Sequence, residues 1–315
     1  MSDLGGVWRT VGGRRIFIKD GEDLETAMKN SGKFNKNQIK SKIQGVDNNN
    51  DLKKNEEFKI EVKKISEELK KYNIEVDNNF FNNFDSRMAK EQLNAINNIV
   101  KNDVEMQEYL KKYPLKITSE PQVLSDATYG HVPQDASMHQ IAYNSRLNYE
   151  ETITKVKELR EKGRWISNDF SNVADTEYIA YHEMGHLKEQ MAVQKYLEKN
   201  PKFKEKYIKK LDKAKTQDEY DIITRNMHDD TLYHLEEEYL KPIQEKNGTL
   251  NKSGGREGTI AYGDYGTNEM SSYGNKNGRN EFFSESNVIY SNPTPKGKES
   301  QLYKDFKDFI EEVYK

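Results

Sequence analysis

The chain has 315 residues, with 50 basic and 53 acidic side chains and a formal net charge of -3, a balance that gives no case for a nucleic-acid partner. It contains no cysteine, which excludes disulfides and thiolate metal sites, so any metal must be held by His, Glu or Asp. Hydrophobic residues reach only 34%, below the roughly 45–50% of ordinary globular chains, so part of the chain is expected as solvated helix or linker.

The first residues, Met-Ser-Asp-Leu-Gly-Gly-Val-Trp, lack the apolar core of about 7–15 residues that a signal peptide needs. Nowhere do about 18 apolar residues run together, so no membrane-spanning helix is expected. Trp8–Val11 and Arg14–Ile18 flank Gly12-Gly13 and read as a hairpin. Asp23–Asn30 reads as a short helix ended by Ser31-Gly32. Residues 34–55 are rich in Asn, Lys and Asp and read as linker. Residues 56–73 place Phe58, Ile60, Val62, Ile65 and Leu69 at helical spacing among Lys and Glu, which predicts a solvated amphipathic helix.

Residues 87–112 repeat that pattern with Met88, Leu93, Ile96, Ile99, Val100, Val104 and Met106, and Pro114 then stops the helix. Leu115–Thr118 and Gln140–Tyr143 read as strands, and residues 151–162 as a charged helix. A helix capped by Asp175 is predicted to run to about Leu197, followed by helices over 202–213 and 217–245. Residues 252–280, rich in Gly, Ser, Asn and Tyr, read as loop. Helix resumes over Glu281–Tyr290, breaks at Pro293 and Pro295, and closes the chain over 299–314. The fold class expected is α+β and predominantly helical, in three segments: 1–33, a hairpin and helix; 34–86, a charged linker with an amphipathic helix; and 87–315, the main domain.

The richest motif is His182-Glu183-Met184-Gly185-His186. Histidines at i and i+4 lie on one helical face, one turn apart, and can hold one zinc ion. Glu183 then stands beside the metal, able to take a proton from water. A catalytic zinc needs a third protein ligand and an open position. Glu281 in Glu281-Phe282-Phe283-Ser284-Glu285 is the best source, with Glu269 its main rival. Glu285, one turn on, is placed to hydrogen-bond a ligand histidine and set its tautomer. His228 and His234, beside Asp229 and Asp230, are spaced for no common helical face and read as surface or packing residues, as do His131 and His139.

These residues resemble the catalytic domain of the anthrax toxin lethal factor family. That family pairs a His-Glu-x-Gly-His helix with a downstream Tyr-Gly and a Glu-Phe-Phe-Ala-Glu helix, matched here by His182–His186, Tyr273-Gly274 and Glu281–Glu285. The resemblance spans roughly residues 87–315. It implies a zincin-like metallopeptidase domain in which His182, His186 and Glu281 bind Zn2+, Glu183 is the general base and Tyr273 stabilises the oxyanion or donates a proton. Ser284 stands where the family has Ala. The interval between His186 and Glu281 is longer than in the lethal factor, and its mostly helical extra length (about 195–245) is expected to cover substrate or mark a subtype. Tyr262 and Tyr265 are alternatives to Tyr273. Gln140–Tyr143 is expected as the sheet edge that pairs with an extended peptide.

Residues 5–35 resemble the tail of phage minor head proteins. Together the two resemblances imply a zinc-dependent endopeptidase acting on a protein or peptide, encoded by a phage or mobile element as a toxin or effector. It would be made in the cytoplasm and delivered with a phage particle or exported by a leaderless route. The alternative is a phage structural or interaction protein with an inactive protease-like domain.

Overall fold

The computed structural model describes residues 6–11, 14–19, 26, 48–121, 123, 125–132, 135–250, 265, 269–277 and 279–315. The chain divides into two compact units, Met1–Phe58 and Lys59–Lys315. In the smaller, β1 (Gly6–Val11) and β2 (Arg14–Lys19) pair antiparallel, with Trp8 opposite Phe17 and Val11 opposite Arg14. This is the hairpin that the sequence pattern predicts. The expected turn at Gly12-Gly13, the rest of the short helix over 23–30 and the linker up to residue 47 lie outside the described residues.

α1 (Asn48–Leu69) leads into the larger unit, where Val62 and Leu69 are buried. Residues 59–86, expected as charged linker with a solvated helix, contribute further to this core. β3 (Ile74–Val76) and α2 (Asn78–Asn83) bury Ile74, Val76 and Phe80. Only one face of this charged stretch is apolar, which is why its average composition reads as linker.

The helix predicted over 87–112 is two: α3 (Ser86–Lys101) and α4 (Val104–Lys112). Asp103 separates them. Its Oδ1 caps α4 by accepting the Met106 N–H at 2.9 Å, and its Oδ2 pairs with the buried ammonium of Lys188. A short polar side chain that can satisfy a helix start competes with helix continuation.

β4 (Leu115–Glu120), β5 (Ala127–Val132) and β6 (Asp135–Asn144) complete a four-stranded sheet in the order β3-β4-β6-β5. β3, β4 and β6 run parallel, and β5 is antiparallel to β6. Gln140–Tyr143 is therefore not the edge that its sequence suggested. It lies in β6, hydrogen-bonded on both sides, and β5 is the outer neighbour. The sequence pattern of β5, Ala-Thr-Tyr-Gly-His-Val, has an internal Gly and no run of apolar residues, which hides it from a strand reading.

α5 (Tyr149–Glu161) precedes the central helix α6 (Tyr178–Lys199). α6 buries residues all round, among them Ile179, Met184, Leu187, Met191 and Val193, as a helix enclosed by others must. Each such large apolar side chain contributes about 1.5–3 kcal/mol of transfer free energy.

Beyond it lie α7 (Pro201–Leu211) and α8 (Gln217–Leu235). The helix predicted over 217–245 continues through a π turn at Glu236–Leu240 into α9 (Lys241–Asn247). There the Lys241 N–H bonds to the Glu236 carbonyl just before Pro242, which has no N–H of its own to offer. α10 (Ser272–Asn277) is helical where the sequence suggested loop. α11 (Arg279–Ser291), α12 (Pro295–Glu299) and α13 (Gln301–Tyr314) follow, with Ser300 capping α13. The described chain is thus predominantly helical with a small sheet, and none of its helices is long and apolar enough to cross a membrane.

Candidate metal centre

The approach to α6 is set by a buried cation. Asp175, expected to cap this helix, instead accepts a hydrogen bond from Arg160 Nη1 at 2.7 Å. Glu177 occupies the cap position without a side-chain capping bond. The fully buried Arg160 guanidinium also donates to the carbonyls of Ile166, Ser171 and Val173. The segment ahead of α6 is so pinned that Trp165 stacks on Tyr178, centroids 4.7 Å apart and planes within 8°.

His182 and His186 stand one turn apart on α6, with ring centroids 5.3 Å apart. α11 delivers Glu281 to them. Its Oε2 lies 3.2 Å from His182 Nε2 and 3.7 Å from His186 Nε2. The close crossing depends on Gly185, where a Cβ would stand 2.4 Å from Ser284 Cα and 2.8 Å from the Phe283 carbonyl oxygen. α11 is seated by the Asn287 amide, which donates to the Tyr181 carbonyl at 2.7 Å, and by Ser171, which donates to the Val288 carbonyl at 2.6 Å. Phe282 and Phe283 pack against Phe306 and Phe309 of α13. Gly185→Ala is expected to destabilise the unit by about 1–3 kcal/mol, the usual effect of overpacking. Urea unfolding would measure it, and an unchanged midpoint would mean that the crossing has slack.

Glu285 is fully buried, and its Oε1 lies 3.0 Å from His182 Nδ1. The same oxygen accepts from the Tyr178 hydroxyl at 3.3 Å, and that hydroxyl takes the Ile166 N–H at 2.9 Å. With its Nδ1–H held by a carboxylate, a neutral His182 keeps its Nε2 lone pair for a metal.

Burial opposes a charge on His182, but hydrogen bonds to Glu281 and Glu285 and the nearby carboxylates raise its pKa well above the ordinary histidine value. Burial likewise opposes ionisation of Glu281. The hydrogen bond to His182, the charges of both histidines and the Ser284 hydroxyl outweigh it and lower Glu281 to about 2. Glu281 is therefore ionised, as a ligand must be.

The Tyr273 hydroxyl donates to Glu281 Oε1 at 3.0 Å, and its ring centroid lies 6.1 Å from that of His182. Burial, and then the charge of Glu281, raise the Tyr273 pKa, so the phenol keeps its proton. Glu183 is 5% exposed and borders a cavity together with His182 and Tyr273.

Ligand atoms of His182, His186 and Glu281 all lie within 4.8 Å of one another, so these three could hold a metal ion. Two imidazoles and an ionised carboxylate, one ring held from behind, form a donor set that suits a divalent cation. Among the described residues no other such group occurs.

The rivals are engaged elsewhere. Glu269 Oε2 accepts the N–H groups of Gln301 and Leu302 at the start of α13. The Tyr265 hydroxyl donates to Asp305 Oδ2 at 3.0 Å. Tyr262 and the side chain of His131 lie outside the described residues. His228 contacts Glu189 at 3.1 Å, His234 contacts Glu238 at 3.2 Å, and the buried His139 contacts the Tyr109 hydroxyl at 2.8 Å.

Three contributors go unread in the sequence. Ser284 is noted there only as standing where the family has Ala, yet its buried hydroxyl lies 2.9 Å from Glu281 Oε2 and 2.9 Å from the Glu281 carbonyl. The i, i+3 spacing within one helix is the signal that could have found it. Tyr178 is one turn before His182, where a further polar residue on the histidine face could have been suspected. Trp165 carries no sequence signal, because Arg160 brings it in. Ser284→Ala is expected to weaken metal binding about tenfold, at the low end for groups that orient ligands. Chelator competition would show it, and an unchanged affinity would leave the hydroxyl bonded to its own backbone.

No protein-family model matches this chain, and no curated protein or solved structure matches it.

Proposed function

We propose that the larger unit is a zincin-like, zinc-dependent endopeptidase, similar in its site to the lethal factor family. The observation that carries this reading is the meeting of Glu281 with both motif histidines, from an element far along the chain. His182, His186 and Glu281 would hold the zinc, and Glu285 would orient His182. Zinc supplies, when bound, an acidified water and a polarised carbonyl.

The remaining work falls to the chain's own groups. Glu183 accepts the proton of the attacking water and passes it to the leaving amine. The protonated Tyr273 hydroxyl donates to the oxygen on which negative charge develops. Its bond to Glu281 keeps that hydroxyl near the centre before substrate arrives. Strand addition, expected earlier at Gln140–Tyr143, is assigned instead to β5, the outer strand whose Ala127 borders the same cavity as His182 and Glu183.

The role as a phage-encoded effector rests on the N-terminal resemblance alone. It predicts that the chain is found in purified phage particles by mass spectrometry.

The test of the activity is metal analysis of the full chain together with digestion of a diverse peptide library. One zinc per chain and defined internal cleavage sites are expected. A chain that takes up no zinc on reconstitution would end the peptidase reading and leave the phage structural protein as the better account.

A further inference from the structure

The hairpin made by α7 and most of α8 packs little against the rest of the unit. From Lys202 to Asp230 only Tyr207 is buried. Its hydroxyl donates to Asp230 of α8. Phe203, one turn earlier, packs on Tyr196 and His234, with ring centroids 5.9 and 5.1 Å away. These two inward rings fix which side of α7 meets its neighbours and leave the other side to solvent.

The outward side carries one sign of charge. Residues 201–215 hold seven lysines, two acidic residues and no arginine, within a chain whose net charge is -3. Lys202, Lys206, Lys209 and Lys210, with Lys213 in the turn that follows, recur at steps of three and four and share one face over roughly 16 Å. All five are exposed. Lys206 and Lys210 pack over the Tyr207 ring, their ammonium groups 5.4 and 4.7 Å from its centroid. Among the described residues only Lys209 of the seven lies within ion-pair distance of a carboxylate, Glu205 at 2.7 Å. Like charges four apart destabilise a helix, so this face is costly unless an anion lies against it.

The chemistry favours lipid over other anions. Guanidinium groups, which match phosphate and nucleic-acid geometry best, are missing from the face. Both aromatic rings are turned inward, so no stacking platform for bases is offered. Lysine is also depleted at protein–protein interfaces. A row of point charges on a weakly packed hairpin suits a flat, diffuse layer of phosphates, and it meets that layer without bringing the acidic remainder of the chain against it.

We propose that the lysine face of α7 docks this protein peripherally on an anionic phospholipid surface. The face shares no residue with the metal centre, so this proposal and the peptidase reading fail independently.

The experiment is co-sedimentation of the full chain with phosphatidylcholine vesicles, either pure or containing about 30% phosphatidylglycerol, an anionic lipid. Binding to the anionic vesicles alone is expected, and it should fall steeply as salt rises from about 0.1 to about 0.5 M. Each lysine near such a surface strengthens binding about fivefold, so the combined Lys202→Gln, Lys206→Gln, Lys209→Gln and Lys213→Gln variant should bind on the order of 100- to 1000-fold more weakly. A control variant removes the same charge from exposed lysines on other elements, Lys63→Gln, Lys64→Gln, Lys71→Gln and Lys101→Gln, and should bind much more nearly as the wild type does.

No binding to anionic vesicles overturns the proposal. Equal losses in the two variants overturn it as well, because net charge and not the α7 face would then govern binding. A short DNA duplex or polyglutamate that binds the full chain more tightly than the vesicles do, through the same four lysines, would replace the lipid by that polyanion.

Discussion

Glu183→Gln is expected to lower kcat by about 10²- to 10⁴-fold, the range for removing a positioned general base. Glutamine keeps the shape of the side chain but cannot take a proton at neutral pH. Glu183 is not one of the three groups whose ligand atoms converge, so zinc content should stay at the wild-type level. The side chain is buried beside the cavity, and the isosteric change leaves its packing intact. Single-turnover cleavage of the best library peptide, run beside metal analysis, separates the outcomes. A variant that holds zinc and cleaves at the wild-type rate would remove Glu183 from the mechanism. A variant that loses zinc would make it part of the binding site instead.

Glu281→Ala should weaken zinc binding by more than about 100-fold, beyond the effect usual for groups that only orient ligands. The loss is not expected to spread through the fold. α11 remains held by Asn287 on the Tyr181 carbonyl, by Ser171 on the Val288 carbonyl and by the phenylalanine cluster with α13. What disappears is local: the carboxylate between two imidazoles and the acceptor of the Tyr273 hydroxyl.

The measurement need not involve catalysis. Zinc at 100 times its dissociation constant stabilises the wild type by about 2.7 kcal/mol, and that gain should fall to about 0.4 kcal/mol or less in the variant. If Glu269→Ala abolishes it while Glu281→Ala does not, the third ligand has been misassigned.

The sequence by itself determined the parts of this protein that depend on local chemistry. Helical spacing alone puts His182 and His186 on one face, because the period of the α-helix is a property of the backbone and not of its surroundings. Glu281 and Glu285 share a face for the same reason, so a candidate ligand and a candidate orienting partner were readable together. Long amphipathic helices and the hairpin over residues 8–18 were readable too, since each is specified by residues close together in the chain.

Only the tertiary structure decided matters that turn on distant partners. The sequence preferred Glu281 to Glu269 but could not show that Glu269 is engaged at the start of α13, nor that Glu281 reaches both histidines. Asp175 is drawn from its expected capping role by Arg160, and Asp103 interrupts a helix partly because Lys188 needs a counter-ion. Strand order made β6 internal and placed β5 at an edge, which no local pattern encodes. The cavity walled by Leu159, Trp165, Ile179 and Ala127 has no sequence signature at all. Its residues come from separate elements, and their proximity follows from how sheet and helices pack around α6, an outcome of burial over the whole unit rather than of any one segment's own preferences.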